Sequence, residues 1–302
     1  MNSLSRTKTL LLISFLVIVW GTSWPIYKIA LAYTPPLLFA GMRTLIGGML
    51  IAILLLPKLK SLKLKENWPV YVISGILNVA LFYGLQTVGL MYMPSGLFSV
   101  IVYLQPVLVG IFAWLWLGER MTAVKMIGLA LGFLGVATVS AGGFSGHIAV
   151  LGIVFACLTA LSWAGGAVYV KKVGSRVDSL WLVACQCLIG GIVLTAAGTA
   201  TESWSAITWN ASYVFGLVFG IVLGISVSWV VYFTLVYAGD ASKVASYTFL
   251  VPLISVFSGT IVLGEPFTVY LVAGLALIGV SIFLVNRKPK PSRGTAAALR
   301  SA

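Results

Sequence analysis

Apolar residues run through this chain in blocks of about 20, separated by short polar or turn-forming stretches, without the strict alternation of a half-buried strand. Ten blocks can be marked, at 9–32, 36–56, 68–90, 95–117, 123–140, 148–170, 179–200, 212–237, 242–263 and 268–286, and each is predicted to be a helix. The connectors carry turn chemistry: Pro35-Pro36, Met93-Pro94-Ser95-Gly96, Gly142-Gly143 and Gly239-Asp240. None is long enough to hold a second domain. Arg6 and Lys8 ahead of an apolar run suggest a signal peptide, but the run continues to Ala32. That is too long for a signal's apolar region, so it is read as the first span.

Composition turns these blocks into membrane spans. Of 302 residues, 60% are hydrophobic and 8% are charged, against about 25% charged in a soluble domain. Too few polar residues remain to cover a soluble surface, and blocks of this length suit helices, not barrel strands. The expected fold class is an all-α polytopic membrane protein with ten transmembrane helices and the lipid bilayer as its surroundings. The net charge of +13 does not imply nucleic acid, because the cations cluster between the blocks and in the tail. With the N-terminus in the cytoplasm, inner segments hold Arg6 and Lys8; Lys58, Lys60, Lys63 and Lys65; Arg120 and Lys125; Lys171, Lys172 and Arg176; Lys243; and Arg287, Lys288, Lys290, Arg293 and Arg300. Only Lys28 and Arg43 of the 19 cations fall elsewhere, within helices. This one-sidedness predicts both termini cytoplasmic.

The chain also repeats itself. At an offset of 146, Pro106 and Leu117-Gly118-Glu119 return as Pro252 and Leu263-Gly264-Glu265, and Gly128-Leu129-Ala130-Leu131 returns as Gly274-Leu275-Ala276-Leu277. At 143, Trp20, Lys28 and Leu45-Ile46-Gly47-Gly48 return as Trp163, Lys171 and Leu188-Ile189-Gly190-Gly191. Such self-similarity marks two copies of one unit, here expected at 1–145 and 146–288, with a basic cytoplasmic tail at 289–302. Five helices per copy is odd, so the second copy must cross the bilayer in the opposite sense. Inverted-topology repeats belong to secondary transporters, in which similar halves exchange conformations.

Several predicted helices carry a polar and aromatic face that lipid does not favour. In the first, Trp20, Ser23, Trp24, Tyr27 and Lys28 follow helical spacing; the third aligns Gly75, Asn78, Phe82, Gln86 and Gly89; the eighth presents Ser226, Trp229 and Tyr232. Trp20, Trp24, Tyr103, Trp163 and Trp229 lie near their helix midpoints, the depth of transporter sites, and are candidate cavity walls; packing is the alternative. Ser23, Asn78 and Tyr247 are candidate polar groups for substrate. Arg43 lies two turns into its helix, about 11 Å deep, and needs either a substrate carboxylate or a structural hydrogen bond. Lys28, one turn from its helix end, can snorkel. Glu119 and Glu265 end their helices and are expected to bind neighbouring N–H groups or cations. Trp68, Trp181, Trp204 and Trp209 are assigned to the interfacial belt. The stripe of Gly216, Gly220, Gly224 and Ser228 is read as close helix packing.

Enzyme chemistry has no foothold in this pattern. Cys157, Cys185 and Cys187 fall inside helices without metal spacing, the single His147 lies in a loop, and no midplane acid pair exists. No cofactor, metal, nucleic-acid or protein partner is expected. The absence of a midplane carboxylate favours uncoupled or exchange transport over proton coupling.

Trp20-Gly21, the proline-to-Leu-Gly-Glu segments at 106–119 and 252–265, the following Thr122 and Thr268, and the glycine-rich fifth and tenth helices resemble the EamA-type members of the drug/metabolite transporter superfamily. The resemblance covers nearly the whole chain, and the overall pattern is similar to bacterial inner-membrane exporters of amino acids, including aromatic ones. It implies a 5+5 inverted repeat around a central cavity that moves small organic solutes by alternating access. Gln105 and Val251 precede the two prolines where the family often has Glu, so no role for that acidic position carries over. A drug or toxic-cation exporter, which would want a buried acid, and a passive channel are the rival readings.

Overall fold

A computed structural model of the chain describes residues 5–118, 121–143, 150–173, 176–235 and 250–286. Apart from a separate 3₁₀ turn at Trp204–Ala206, the described residues form ten helical stretches and no strand: α1 (Arg6–Leu31), α2 (Pro36–Leu55, extended by a 3₁₀ turn Leu56–Ser61), α3 (Leu64–Gly89), α4 (Ser95–Leu117), α5 (Ala123–Gly143), α6 (Val150–Val173), α7 (Ser179–Thr201), α8 (beginning at Ala211 and reaching Leu235), α9 (Leu250–Leu263) and α10 (Val269–Asn286). Among them α1, α2, α3, α4, α6, α7 and α8 are long and apolar enough to cross a membrane, while the apolar parts of α5, α9 and α10 are shorter.

The helix ends follow from local chemistry. Ser5, Asp178 and Asn210 accept hydrogen bonds from the first-turn N–H groups of α1, α7 and α8, and Pro36 opens α2, where an N–H would have no partner. The repeated Leu-Gly-Glu has a backbone reason. Gly118 and Gly264 end α4 and α9 at φ +67° and +65°, a left-handed conformation that a Cβ penalises.

Three helices are irregular where the sequence predicts uniform spans. α4 breaks at Tyr103 and Leu104, one turn before Pro106 enters the second segment. α3 widens into a π-helical segment at Ile76–Leu81, and α8 does so at Gly220–Val227. The two segments are repeat-related, since Gly75, Leu90 and Tyr92 return as Gly220, Leu235 and Tyr237 at an offset of 145. Hydroxyls take up carbonyls of the widened turns: Ser162 donates to Leu77 O at 2.6 Å, Ser226 to Ile221 O at 2.8 Å and Ser228 to Leu223 O at 2.5 Å. Unpaired carbonyls away from water would be costly, which is why a serine faces each widened turn.

The packing has two-fold character. α2 lies along its repeat mate α7, and α5 along its mate α10, in the two most extensive helix pairings; α1 packs on α9 as α6 packs on α4. α2 and α7 run antiparallel, since Gly41 abuts Thr195, Gly48 abuts Cys187 and Gly198 abuts Leu38. An added Cβ at any of the three would lie within 3.0 Å of its neighbour, so these glycines set the helix separation. Between α5 and α10, Ser281 donates its hydroxyl to Gly128 O.

Two carboxylates lock helix starts. Glu202, just past α7, accepts from Leu37 N at 2.9 Å and Leu38 N at 2.8 Å. Glu265, just past α9, accepts from Ser95 N at 2.5 Å, Gly96 N at 3.0 Å and the Ser95 hydroxyl at 3.0 Å. Lys28 lies 3.4 Å from Glu265 and donates to Met93 O at 2.6 Å, so it is held in the bundle and does not snorkel. Glu119 lies outside the described residues. Trp181 departs from the belt assignment: it is buried and donates its indole N–H to Lys58 O at 3.0 Å. Trp68, Trp204 and Trp209 are exposed, as a belt requires.

Candidate functional site

α1 brings one face to the centre of the bundle, and around it α2, α3, α4, α6, α7 and α8 enclose a cavity of about 360 Å³. Trp20, Ser23, Trp24, Arg43, Asn78, Tyr103, Trp163 and Trp229 all line it; Tyr247 lies outside the described residues. Residues from seven helices converge because each sits on the face its helix turns away from lipid.

Aromatic rings line the wall in three groups. Trp20 lies 6.0 Å from both Trp229 and Tyr232, which meet edge-on at 5.6 Å. Across the cavity Trp163 meets Tyr103 edge-on at 5.7 Å and Phe82 at 5.2 Å. Trp24 packs on Phe98 at 5.9 Å. Such rings offer flat apolar faces with a few polar edges, the composition of a pocket for an organic solute.

Arg43 supplies the charge. It is 1% exposed, and its guanidinium carbon lies 4.2 Å from the Tyr27 ring centre, 4.6 Å from that of Tyr83 and 5.6 Å from that of Phe39. One terminal nitrogen donates to Gln86 Oε1 at 3.1 Å, and Nε has no hydrogen-bond partner. The ion pair at Lys28 and Glu265 lies outside this lining, and among the described residues no acidic side chain lines the cavity. A buried guanidinium held by π faces and one neutral amide keeps donor capacity for an anion.

The polar groups divide. Ser23 donates to Trp20 O at 2.7 Å, so its hydroxyl hydrogen is already committed to its own helix. Asn78, on the π segment of α3, lies directly against α6: a Cβ on Gly166 would come within 2.1 Å of Asn78 Oδ1. Gly224 makes room for Tyr27 in the same way, since a Cβ there would lie 2.2 Å from the Tyr27 hydroxyl. With Gly216 against Ala30 and Gly220 against Arg43 and Tyr27, the α8 stripe is a close packing surface against α1 and α2.

Several lining residues were not singled out as site residues: Tyr27, Phe82, Tyr83, Gln86, Gln186 and Tyr232. Gln186 had a signal, because it occupies the position of Arg43 at offset 143. The repeat thus places a cation on one half and a neutral amide on the other. Tyr27, Phe82, Gln86 and Tyr232 share the helical faces already noted; Tyr83 lies one position off that face and enters because the π segment widens α3 just before it.

The cavity is sealed toward the Leu31 end of α1, where Phe39, Tyr213, Phe98 and Leu38 are fully buried beneath the Lys28–Glu265 network. Toward the Arg6 end its wall continues to Val170, Leu182 and Val183.

A central cavity between two repeated helical units, closed at one end, is the architecture of a solute carrier, and similar proteins carry the same description. The chain is 57% identical over 296 residues to the uncharacterized transporter YvbV of Bacillus subtilis (strain 168), covering 98% of this chain and 97% of that protein. It is 27% identical over 291 residues to a probable amino-acid metabolite efflux pump of Escherichia coli (strain K12), covering 89% and 91%. A solved crystal structure at 19% identity superposes with a TM-score of 0.64 over 93% of this chain and 97% of that one, and shares its fold. The profile of the EamA-like transporter family matches at residues 7–141 and again at 150–287; the chain belongs to that family.

Proposed function

We propose that this transporter is a bacterial inner-membrane exporter of amino acids, aromatic ones included, or of similar small carboxylates. It has ten spans with both termini cytoplasmic and works by alternating access between two inverted halves. The observation that carries the substrate reading is Arg43: a buried cation at the wall of an aromatic cavity whose lining, among the described residues, includes no acid to balance it. A carboxylate entering with the substrate supplies that balance, and the ring faces of Trp20, Trp163 and Trp229 take its side chain. A toxic cation would meet Arg43 with no attractive group in return. The antiparallel course of the repeat mates α2 and α7 supports the inversion, and the one-sided cations support the orientation. On this reading the sealed end faces outward and solute enters from the cytoplasm.

The test is flux of labelled amino acids across liposomes holding the purified protein, in uptake and exchange formats. Saturable flux of at least one amino acid, inhibited by its relatives, is expected. No flux across a broad panel ends the amino-acid reading, and flux without saturation turns the protein into a passive channel.

A further inference from the structure

On the flank of the bundle, α3, α4 and α6 leave a second groove of about 650 Å³ that no part of the transport reading uses. Its walls are apolar: Leu81, Leu158 and Leu161 are exposed along it, and Phe112 stacks on exposed Trp116 at 4.8 Å. One end closes on Lys172, in the last turn of α6. The groove stays open through Gly165. An added Cβ there meets nothing closer than Phe112 Cε2 at 4.0 Å, whereas the neighbouring Gly166 and the glycines between α2 and α7 are packed to contact. Glycine inside a helix costs about 1 kcal/mol relative to alanine, and here no close helix approach explains it. The Ser162 hydroxyl on its floor is taken up by Leu77 O, which leaves a largely apolar surface there.

We infer that this groove binds one acyl chain of an anionic phospholipid whose phosphate sits at Lys172. The length fits. Leu158 to Lys172 spans about 21 Å at 1.5 Å per residue, and one leaflet with its headgroup layer is about 20–22 Å thick. The charge fits as well: Lys172, Lys171 and Arg176 lie at the same end, where basic pockets between spans take anionic headgroups. The groove shares a wall with the central cavity, because Leu77 and Ser162 face the lipid side while their neighbours Asn78 and Trp163 face the solute side. A bound chain therefore buttresses α3 against α6.

The experiment is native mass spectrometry of the full-length protein delipidated stepwise in an equal mixture of phosphatidylglycerol and phosphatidylethanolamine. One phosphatidylglycerol should outlast the others, with about fivefold preference set by a single basic residue near the headgroup. Lys172→Gln should remove that preference, and Gly165→Leu, which fills the groove, should remove the retained lipid of either kind. Equal retention of both lipids by the wild type, or retention unchanged in Gly165→Leu, overturns the assignment and leaves only ordinary boundary lipid. Should Gly165→Leu not fold, fluorescence quenching by brominated phosphatidylglycerol decides, comparing wild type with Trp116→Phe. The quenching difference must saturate at low mole fraction; a difference that tracks bulk lipid content rules the site out.

Discussion

Arg43 concentrates the chemistry of the cavity into one side chain. Its planar guanidinium is what lies against Tyr27, Tyr83 and Phe39, and an ammonium in its place keeps the charge but loses the stacked plane and the fork of donors. Arg43→Lys is therefore expected to lower kcat/KM for a carboxylate-bearing solute by about tenfold or more, the cost of a charge-assisted hydrogen bond. The amide derivative of the same solute should be carried no worse by the variant than by the wild type; a matching loss for both would show that Arg43 only holds the fold. A second residue-scale prediction concerns Gly166. Adding its missing methyl drives Asn78 out of place, so Gly166→Ala should destabilise by about 1–3 kcal/mol despite better helix propensity. Asn78→Ala on that background should restore much of the loss. Additive effects in this double-mutant cycle would contradict the contact.

At the scale of elements, the bundle is tied at helix starts by carboxylates reaching from elsewhere in the chain. Glu202 belongs to the end of α7 yet satisfies two N–H groups of α2, 165 and 164 residues away. Glu202→Ala should cost about 0.5–2 kcal/mol, as loss of a helix cap does, and lower the apparent Tm by a few degrees. Glu202→Gln, which still offers one acceptor, should fall between the two; a Tm for Glu202→Ala equal to wild type would mean water replaces the cap without loss. The π segments of α3 and α8 matter here as well. π turns are frequent at functional sites, and these two repeat-related segments contain the cavity-lining Asn78 and Gly224.

For the whole molecule, the central prediction is topological. Single cysteines at Glu119 and Glu265, introduced after replacing Cys157, Cys185 and Cys187, should react with a membrane-impermeant maleimide from opposite faces of the bilayer. Labelling from the same face would leave the two halves parallel and remove the basis for exchange between inverted states.

Much of this was legible in the sequence, for a reason that can be traced to particular residues. Span positions follow from hydropathy because lipid forces each exposed backbone group into a helix. The repeat is visible because Leu-Gly-Glu encodes a backbone requirement at Gly118 and Gly264, not a surface preference. Trp20, Ser23, Trp24, Asn78, Tyr103, Trp163 and Trp229 could be named as a set since a polar or aromatic face in lipid must turn inward, and the structure gathers them with Arg43 around one cavity. What the order of residues could not supply is distance between elements. Glu265 and Ser95 meet across 170 positions, Trp181 is buried because the end of α2 arrives beside it, and Gly165 borders open space while Gly166 touches Asn78. Hydrophobic periodicity says which face turns inward, but only packing of one helix on another decides what that face meets.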